Sequence, residues 1–248
     1  MFDIEAVVFD VLGTMVDEPG GLRRAIREAL PGAAEEALVE RLLAVWQEHV
    51  ERQQRRIAEG SRDYVGSEVI DREAAERVAE HAGIIDRTAV ERLAAAGQRL
   101  DPWGDSAAGL ARIAERFPVL GLSNADRATL VRLNAHAGLR WHQVLSAEAV
   151  RAYKPAPQVY RLALDVVGCP PERVLMVAAH AWDLRAGQAL GMRTAYIRRP
   201  VGDSPGRTDT FDLQQDGLED LAGVLAAPGQ VGRPGAGGGA GGETAVLR

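Results

Sequence analysis

Val7-Val8-Phe9-Asp10-Val11-Leu12-Gly13-Thr14-Met15 decides how the rest of this chain is read. The apolar residues before Asp10 have the composition of a buried β-strand, spanning residues 5–10, and the glycine after it marks a sharp turn. In open parallel sheets, ligands collect beyond the carboxyl ends of the strands, and Asp10 stands at such an end. A carboxylate held there is a candidate nucleophile rather than a solvated surface charge or a simple helix cap. Gly13 lets the backbone turn, and Thr14 offers a hydroxyl near the carboxylate. Two residues beyond Asp10, where a second acid could protonate a leaving group, stands Leu12, which has no proton to give.

The next apolar strand with a polar end is Val119-Leu120-Gly121-Leu122, more than a hundred residues later. A crossover between parallel strands needs only a few dozen residues, so an inserted unit is expected between them. From about Gly21 to Gly97 the sequence is rich in Ala, Glu, Leu and Arg, with Leu38, Leu42, Val45, Trp46 and Val50 at helical spacing. That unit is expected to be all-helical. Helices are further expected over 106–116, 127–137 and 184–190, with strands over 173–177 and 193–197. The fold class expected is therefore α/β, a doubly wound parallel sheet with an inserted all-helical cap. Residues 1–17 and 99–226 form the expected core domain and 18–98 the cap. Residues 227–248, largely glycine, proline and alanine, are expected to be a disordered tail, because they cannot bury enough apolar surface to offset their ordering entropy.

Composition narrows the function. A chain of 248 residues with 46% hydrophobic and 26% charged residues is globular in character. Its net charge of -6 argues against nucleic-acid binding, which needs a concentrated basic field. The sequence contains no apolar run of bilayer-spanning length and no basic-then-apolar N-terminal segment, so a cytoplasmic protein without a membrane partner is expected. Cys169 is the single cysteine and reads as a partly buried thiol beside a turn, which leaves no disulfide and no cysteine-based zinc site.

Several further residues read as chemistry. Ser123 and Asn124 follow a strand, and either of them, or Asp126, can cap the helix at Arg127. Lys154 is held out of a helix by Pro155 and Pro157, and its ammonium can keep Asp10 ionised and attract an anionic substrate. Tyr160 reads equally as a core tyrosine whose hydroxyl reaches a polar neighbour. Asp183 closes Ala178-Ala179-His180-Ala181-Trp182-Asp183 as its single acid. His180 reads either as a hydrogen-bonding or water-positioning group or as a structural histidine. On the inserted unit, Arg52, Arg55 and Arg56 cluster on one expected helix, and Arg55 and Arg56 are the better candidates for gripping an anion. Trp46 and Tyr64 read as pocket wall or as core.

The Asp10-x-x-Gly13-Thr14 pattern resembles the first motif of the haloacid dehalogenase superfamily. Leu122-Ser123-Asn124, Tyr153-Lys154-Pro155-Ala156-Pro157 and Val177 to Asp183 resemble the second, third and fourth motifs in the expected order. The type II 2-haloacid dehalogenase branch resembles this chain in lacking the second acid of motif one, in Lys154 to Tyr160, and in Ala181-Trp182-Asp183. The resemblance implies hydrolysis of small L-2-haloalkanoic acids to 2-hydroxy acids of inverted configuration, through an Asp10 ester and without metal or organic cofactor. It implies catalytic roles for Asp10, Thr14, Lys154 and Asp183, with Asp183 orienting water or acting as base. It also implies substrate contacts from Leu12, Arg55, Arg56, Ser123, Asn124, Tyr160, His180 and Trp182, and a homodimer. Ala178-Ala179-His180 stands where well-known members have Ser-Ser-Asn, and Leu12 where many have tyrosine.

Two rival readings are a magnesium phosphatase and a non-catalytic binder of an anionic metabolite or protein. Phosphatases of the superfamily usually carry an acid at the position of Ala179, and magnesium usually takes more than one protein carboxylate. Leu12 and Ala179, both lacking acids, weigh against the phosphatase, which is the nearer rival; the intact Asp10, Thr14, Lys154 and Asp183 set weighs against the binder, and Ala178, Ala179 and His180 weigh for it.

Overall fold

The computed structural model describes residues 3–30, 32 and 35–227. Its centre is a six-stranded, all-parallel sheet. The strands are β1 (Ala6–Asp10), β2 (Val119–Ser123), β3 (Gln143–Ser146), β4 (Val174–Ala178), β5 (Arg193–Ile197) and β6 (Leu213–Gln215). Their order is β3-β2-β1-β4-β5-β6, so the winding direction reverses at the β1–β4 pair, in register from Ala6 opposite Val174 to Phe9 opposite Val177. This reversal opens the crevice above the carboxyl end of β1 where Asp10 sits.

The doubly wound α/β class expected from the sequence is the fold observed. Side-chain alternation along β1 sends Val7 and Phe9 to one face of the sheet and Val8 to the other. The first face packs against α5 (Ser106–Ala114), α6 (Arg127–Ala137) and α9 (Leu218–Ala226) through Leu110, Ile113, Leu130, Leu133 and Leu221. The second packs against α7 (Pro157–Val167) and α8 (Ala181–Gln188) through Tyr160, Ala163 and Leu184. Both faces of β1, β2 and β4 are thus covered, which is why these strands read as continuous apolar runs.

Between β1 and β2 lie four more helices: α1 (Glu18–Ala29), α2 (Glu36–Ala58), α3 (Ser67–Ala82) and α4 (Arg87–Ala94). They gather an apolar cluster of their own around Leu22, Ile26, Leu42, Trp46, Val78 and Leu93. Helix α1 starts at Glu18, ahead of the expected Gly21, because Asp17 caps it by accepting from the Gly20 N–H at 2.9 Å.

The remaining differences are local. Helix α8 begins at Ala181 rather than Leu184, since the His180 carbonyl already accepts from the Asp183 and Leu184 N–H groups. The short strands β3 and β6 and the last helix, α9, lie where the sequence reading names no element. The tail expected beyond Ala227 lies outside the described residues. No helix among the described residues is long and apolar enough to cross a membrane.

Candidate active site

The site is built at the ends of β1, β2 and β4. Asp10 closes β1 and is buried, with 6% of its surface exposed. Its Oδ2 accepts from the Thr14 hydroxyl at 2.6 Å, and its Oδ1 accepts from the Lys154 ammonium at 2.9 Å. Thr14 Oγ1 itself accepts from the Ala179 N–H at 2.9 Å, tying the turn after β1 to the end of β4. That turn requires glycine at residue 13: its φ is +79°, and a Cβ there would lie 2.6 Å from His180 Nε2.

Lys154 bridges two carboxylates. Its Nζ donates to Asp10 Oδ1 at 2.9 Å and to Asp183 Oδ2 at 2.7 Å, inside the protein. Burial pulls the Lys154 ammonium down, and the charges of Asp10 and Asp183 override it, holding the group above its ordinary value. Asp183, in the first turn of α8, has no exposed surface, and the Tyr160 hydroxyl donates to its other oxygen, Oδ1. Burial raises the Asp183 carboxyl, with Lys154 opposing. An ammonium hydrogen-bonded to both acids fills the gap in which a cation shared by Asp10 and Asp183 would sit. Among the described residues no cluster of three or more His, Cys, Asp or Glu is arranged to hold a metal ion.

The other expected residues divide into those the fold brings to the site and those it sets aside. Asn124 Oδ1 accepts from the Lys154 backbone N–H at 2.7 Å, and its amide Nδ2 lies 3.5 Å from Gln54 on α2. Asn124 therefore positions Lys154 and touches the inserted helices. The cap of α6 is Asp126, whose Oδ1 accepts from the Thr129 N–H, while Ser123 is buried with its Oγ accepting from the Ala125 N–H. Tyr160 is fully buried, and it reaches the site through Asp183 rather than by facing open space. His180 Nε2 lies 4.0 Å from Asp10 Oδ2 and 3.3 Å from the Leu12 carbonyl, with its ring against Trp182.

Above Asp10 lies a cavity of about 680 Å³ between the core and α1–α2, whose walls include Glu18, Trp46, Gln54, Arg55, Lys154 and Trp182. A smaller one of about 60 Å³ adjoins it, with Leu12, Asn124 and Asp71 among its walls. Arg55 reaches the larger cavity and pairs with Glu51. Arg56 points elsewhere, toward Gln53 and the Ser61 carbonyl, and Arg52 toward Glu48. Trp46 lines both cavities, whereas Tyr64 packs on Tyr153.

The sequence reading misses Glu18, Gln54, Asp71, Trp103 and Arg199. Trp103 Nε1 donates to the Gly13 carbonyl at 3.0 Å, and Arg199 Nε to the Thr14 carbonyl at 2.9 Å, so both brace the turn after β1 from behind. These residues carry no local signal, since each acts across more than 80 positions of sequence.

The comparisons with known proteins agree with this architecture. The sequence model of haloacid dehalogenase-like hydrolases matches residues 4–191. The (S)-2-haloacid dehalogenase of Pseudomonas putida is 30% identical over 207 residues, covering 82% of this chain and 88% of its own. Among solved structures, a defluorinating L-2-haloacid dehalogenase superposes with a TM-score of 0.82 at 30% identity, over 90% of this chain and 96% of that one. The L-2-haloacid dehalogenase of Xanthobacter autotrophicus, with chloropropionic acid covalently bound, superposes with a TM-score of 0.74 at 26% identity, over 90% and 98% of the two chains.

Proposed function

The chain belongs to the haloacid dehalogenase-like hydrolase family, and on that footing we propose that it hydrolyses small L-2-haloalkanoic acids through an ester of Asp10, without metal. The observation that carries this reading is the Asp10 carboxylate held between Thr14 and Lys154, with Lys154 in the wall of the cavity that the core shares with α1 and α2. The relative with covalently bound chloropropionic acid supports a covalent route on the same fold.

In the first step an Asp10 oxygen attacks carbon two and the halide departs with the bonding electron pair, leaving a neutral ester. Lys154 orients the nucleophile by its hydrogen bond to one oxygen, and Thr14 holds the second. In the second step water attacks the Asp10 carbonyl carbon, and the 2-hydroxy acid leaves carrying the oxygen that Asp10 supplied. Asp183 has no exposed surface and accepts from Lys154 and Tyr160, so in this reading it holds those two groups in place. His180 is the imidazole beside Asp10 and takes the water-orienting role.

Metal-independence rests on the side chains present: Leu12 and Ala179 supply no oxygen ligands, and Lys154 spans Asp10 and Asp183. The helices over residues 18–98 act as the cap, with the core formed by 1–17 and 99–226, and exclusion of bulk water beneath them strengthens the ion contacts.

The test is halide release from both enantiomers of 2-chloropropionate in chelator, with a single turnover run in ¹⁸O-water. Release resists chelator, favours the L enantiomer and disappears in Asp10→Asn. The ¹⁸O enters Asp10 rather than the first-turnover product. Label in that product, or a metal requirement, overturns the proposal.

A further inference from the structure

We propose that Glu18 governs capture of the substrate carboxylate: as the neutral acid it donates a hydrogen bond to that group, and as the carboxylate it repels it. The proposal rests on the dehalogenase reading of the site and deepens it.

Glu18 opens α1 and lines both cavities, which makes it one of the residues shared by the space above Asp10 and its inner extension. Its side chain is half-buried and has no hydrogen-bond or ion-pair partner among the described residues. The charges that act on it are Asp10 at the end of β1, His180 before α8, and Asp71 on α3, which shares the smaller cavity with it. Across the larger cavity stand Glu51 and Arg55 on α2 and Lys154 before α7. Both of these cations are engaged, Arg55 with Glu51 and Lys154 with Asp10 and Asp183. The cavity thus offers an incoming carboxylate no uncommitted cation among its described wall residues.

A small haloacid poised for attack has its carbon two about 3–3.5 Å from the Asp10 oxygen. Its carboxylate is one bond from that carbon, and the Asp10 oxygen it approaches is bound to Lys154, which shares the wall of the larger cavity with Glu18. Burial pushes the Glu18 carboxyl up to about 7, with His180 opposing and Asp10 reinforcing the shift. Glu18 therefore changes from donor to repelling charge across neutral pH, while the substrate carboxylate stays ionised throughout. Like charges a few ångströms apart in a partly screened site change binding on the order of tenfold or more.

The experiment measures KM for L-2-chloropropionate and, by calorimetry, the Kd of propionate between pH 6 and 8.5, in wild type, Glu18→Gln and Glu18→Ala. Propionate cannot react, so its binding reports on Glu18 even if no halide is released from any substrate. In wild type both constants rise about tenfold as pH increases. In both variants, with folding checked by circular dichroism, that slope is lost. A residue that only braced the fold would shift binding equally at every pH. The proposal is overturned if Glu18→Gln or Glu18→Ala keeps the wild-type slope, or if wild type binds propionate with no pH dependence or not at all.

Discussion

At the residue scale the site turns on one ammonium shared by two buried carboxylates. Asp10 ends β1 and Asp183 lies in the first turn of α8, after β4, and Lys154 donates to both at 2.9 and 2.7 Å. Removing one partner from a buried ionic group leaves the others uncompensated, at a cost of about 3–5 kcal/mol. Lys154→Met is therefore expected to lose about that much stability at neutral pH, measured by urea denaturation. The loss shrinks toward acid pH as the Asp183 carboxyl, raised by burial, takes up a proton. Halide release in the same variant falls by about a hundredfold or more, because the nucleophile loses the charge that orients it. The sequence singled out all three residues, each next to a strand end or a proline pair. It was silent on what they do together: the Tyr160 hydroxyl on Asp183 and the Asn124 carbonyl on the Lys154 backbone are contacts across 23 and 30 positions.

At the scale of elements, two helix N-termini meet where the inserted helices rest on the core. Ser67 opens α3 and donates to Asp126 Oδ2 at 3.1 Å, while its hydroxyl accepts from the Asp126 N–H at 2.8 Å. Asp126 in turn caps α6 through the Thr129 N–H at 2.9 Å. Ser67→Ala leaves a buried donor unpaired, a loss of about 1–3 kcal/mol. The thermal midpoint should fall accordingly, and a midpoint equal to wild type removes Ser67 from this junction. Elements with a strong apolar pattern were legible in the sequence, as β1, β2, β4 and β5 run fully or almost fully buried along their length. Strands β3 and β6 were not, because edge positions leave Gln143 and Gln214 exposed and dilute the pattern. Helix α8 starts earlier than its apolar residues announce, since its first N–H groups are taken up by distant Asp203, through its carbonyl at Ala181 and its Oδ2 at Trp182, and by the His180 carbonyl.

At the scale of the whole molecule, core and inserted helices together create an environment that neither has alone. Glu18 comes from the inserted helices and Asp10 and His180 from the core; burial between them raises the Glu18 carboxyl to about 7 from an ordinary 4.5, with His180 opposing and Asp10 reinforcing the shift. The native state therefore holds a proton that the unfolded chain releases between those two values. Stability falls as pH rises through that window, by on the order of 2 kcal/mol, and stays lower above it. Glu18→Gln removes this loss, so the stability difference between variant and wild type grows from pH 4.5 to 7 and then levels off. A constant difference in chemical denaturation across that range contradicts the assignment. Reading the residues alone points to the α/β class, the helical unit between β1 and β2, the family, and the positions Asp10, Thr14, Lys154 and Asp183 that the fold brings together. Each of these is written in local periodicity, turn residues or short motifs. Folding alone sets Arg55 rather than Arg56 in the cavity wall, the Tyr160 hydroxyl on Asp183, and Glu18 in the walls of both cavities. Those outcomes depend on helix rotation and on contacts between distant segments, which the folded chain sets through packing and which no local stretch of residues encodes.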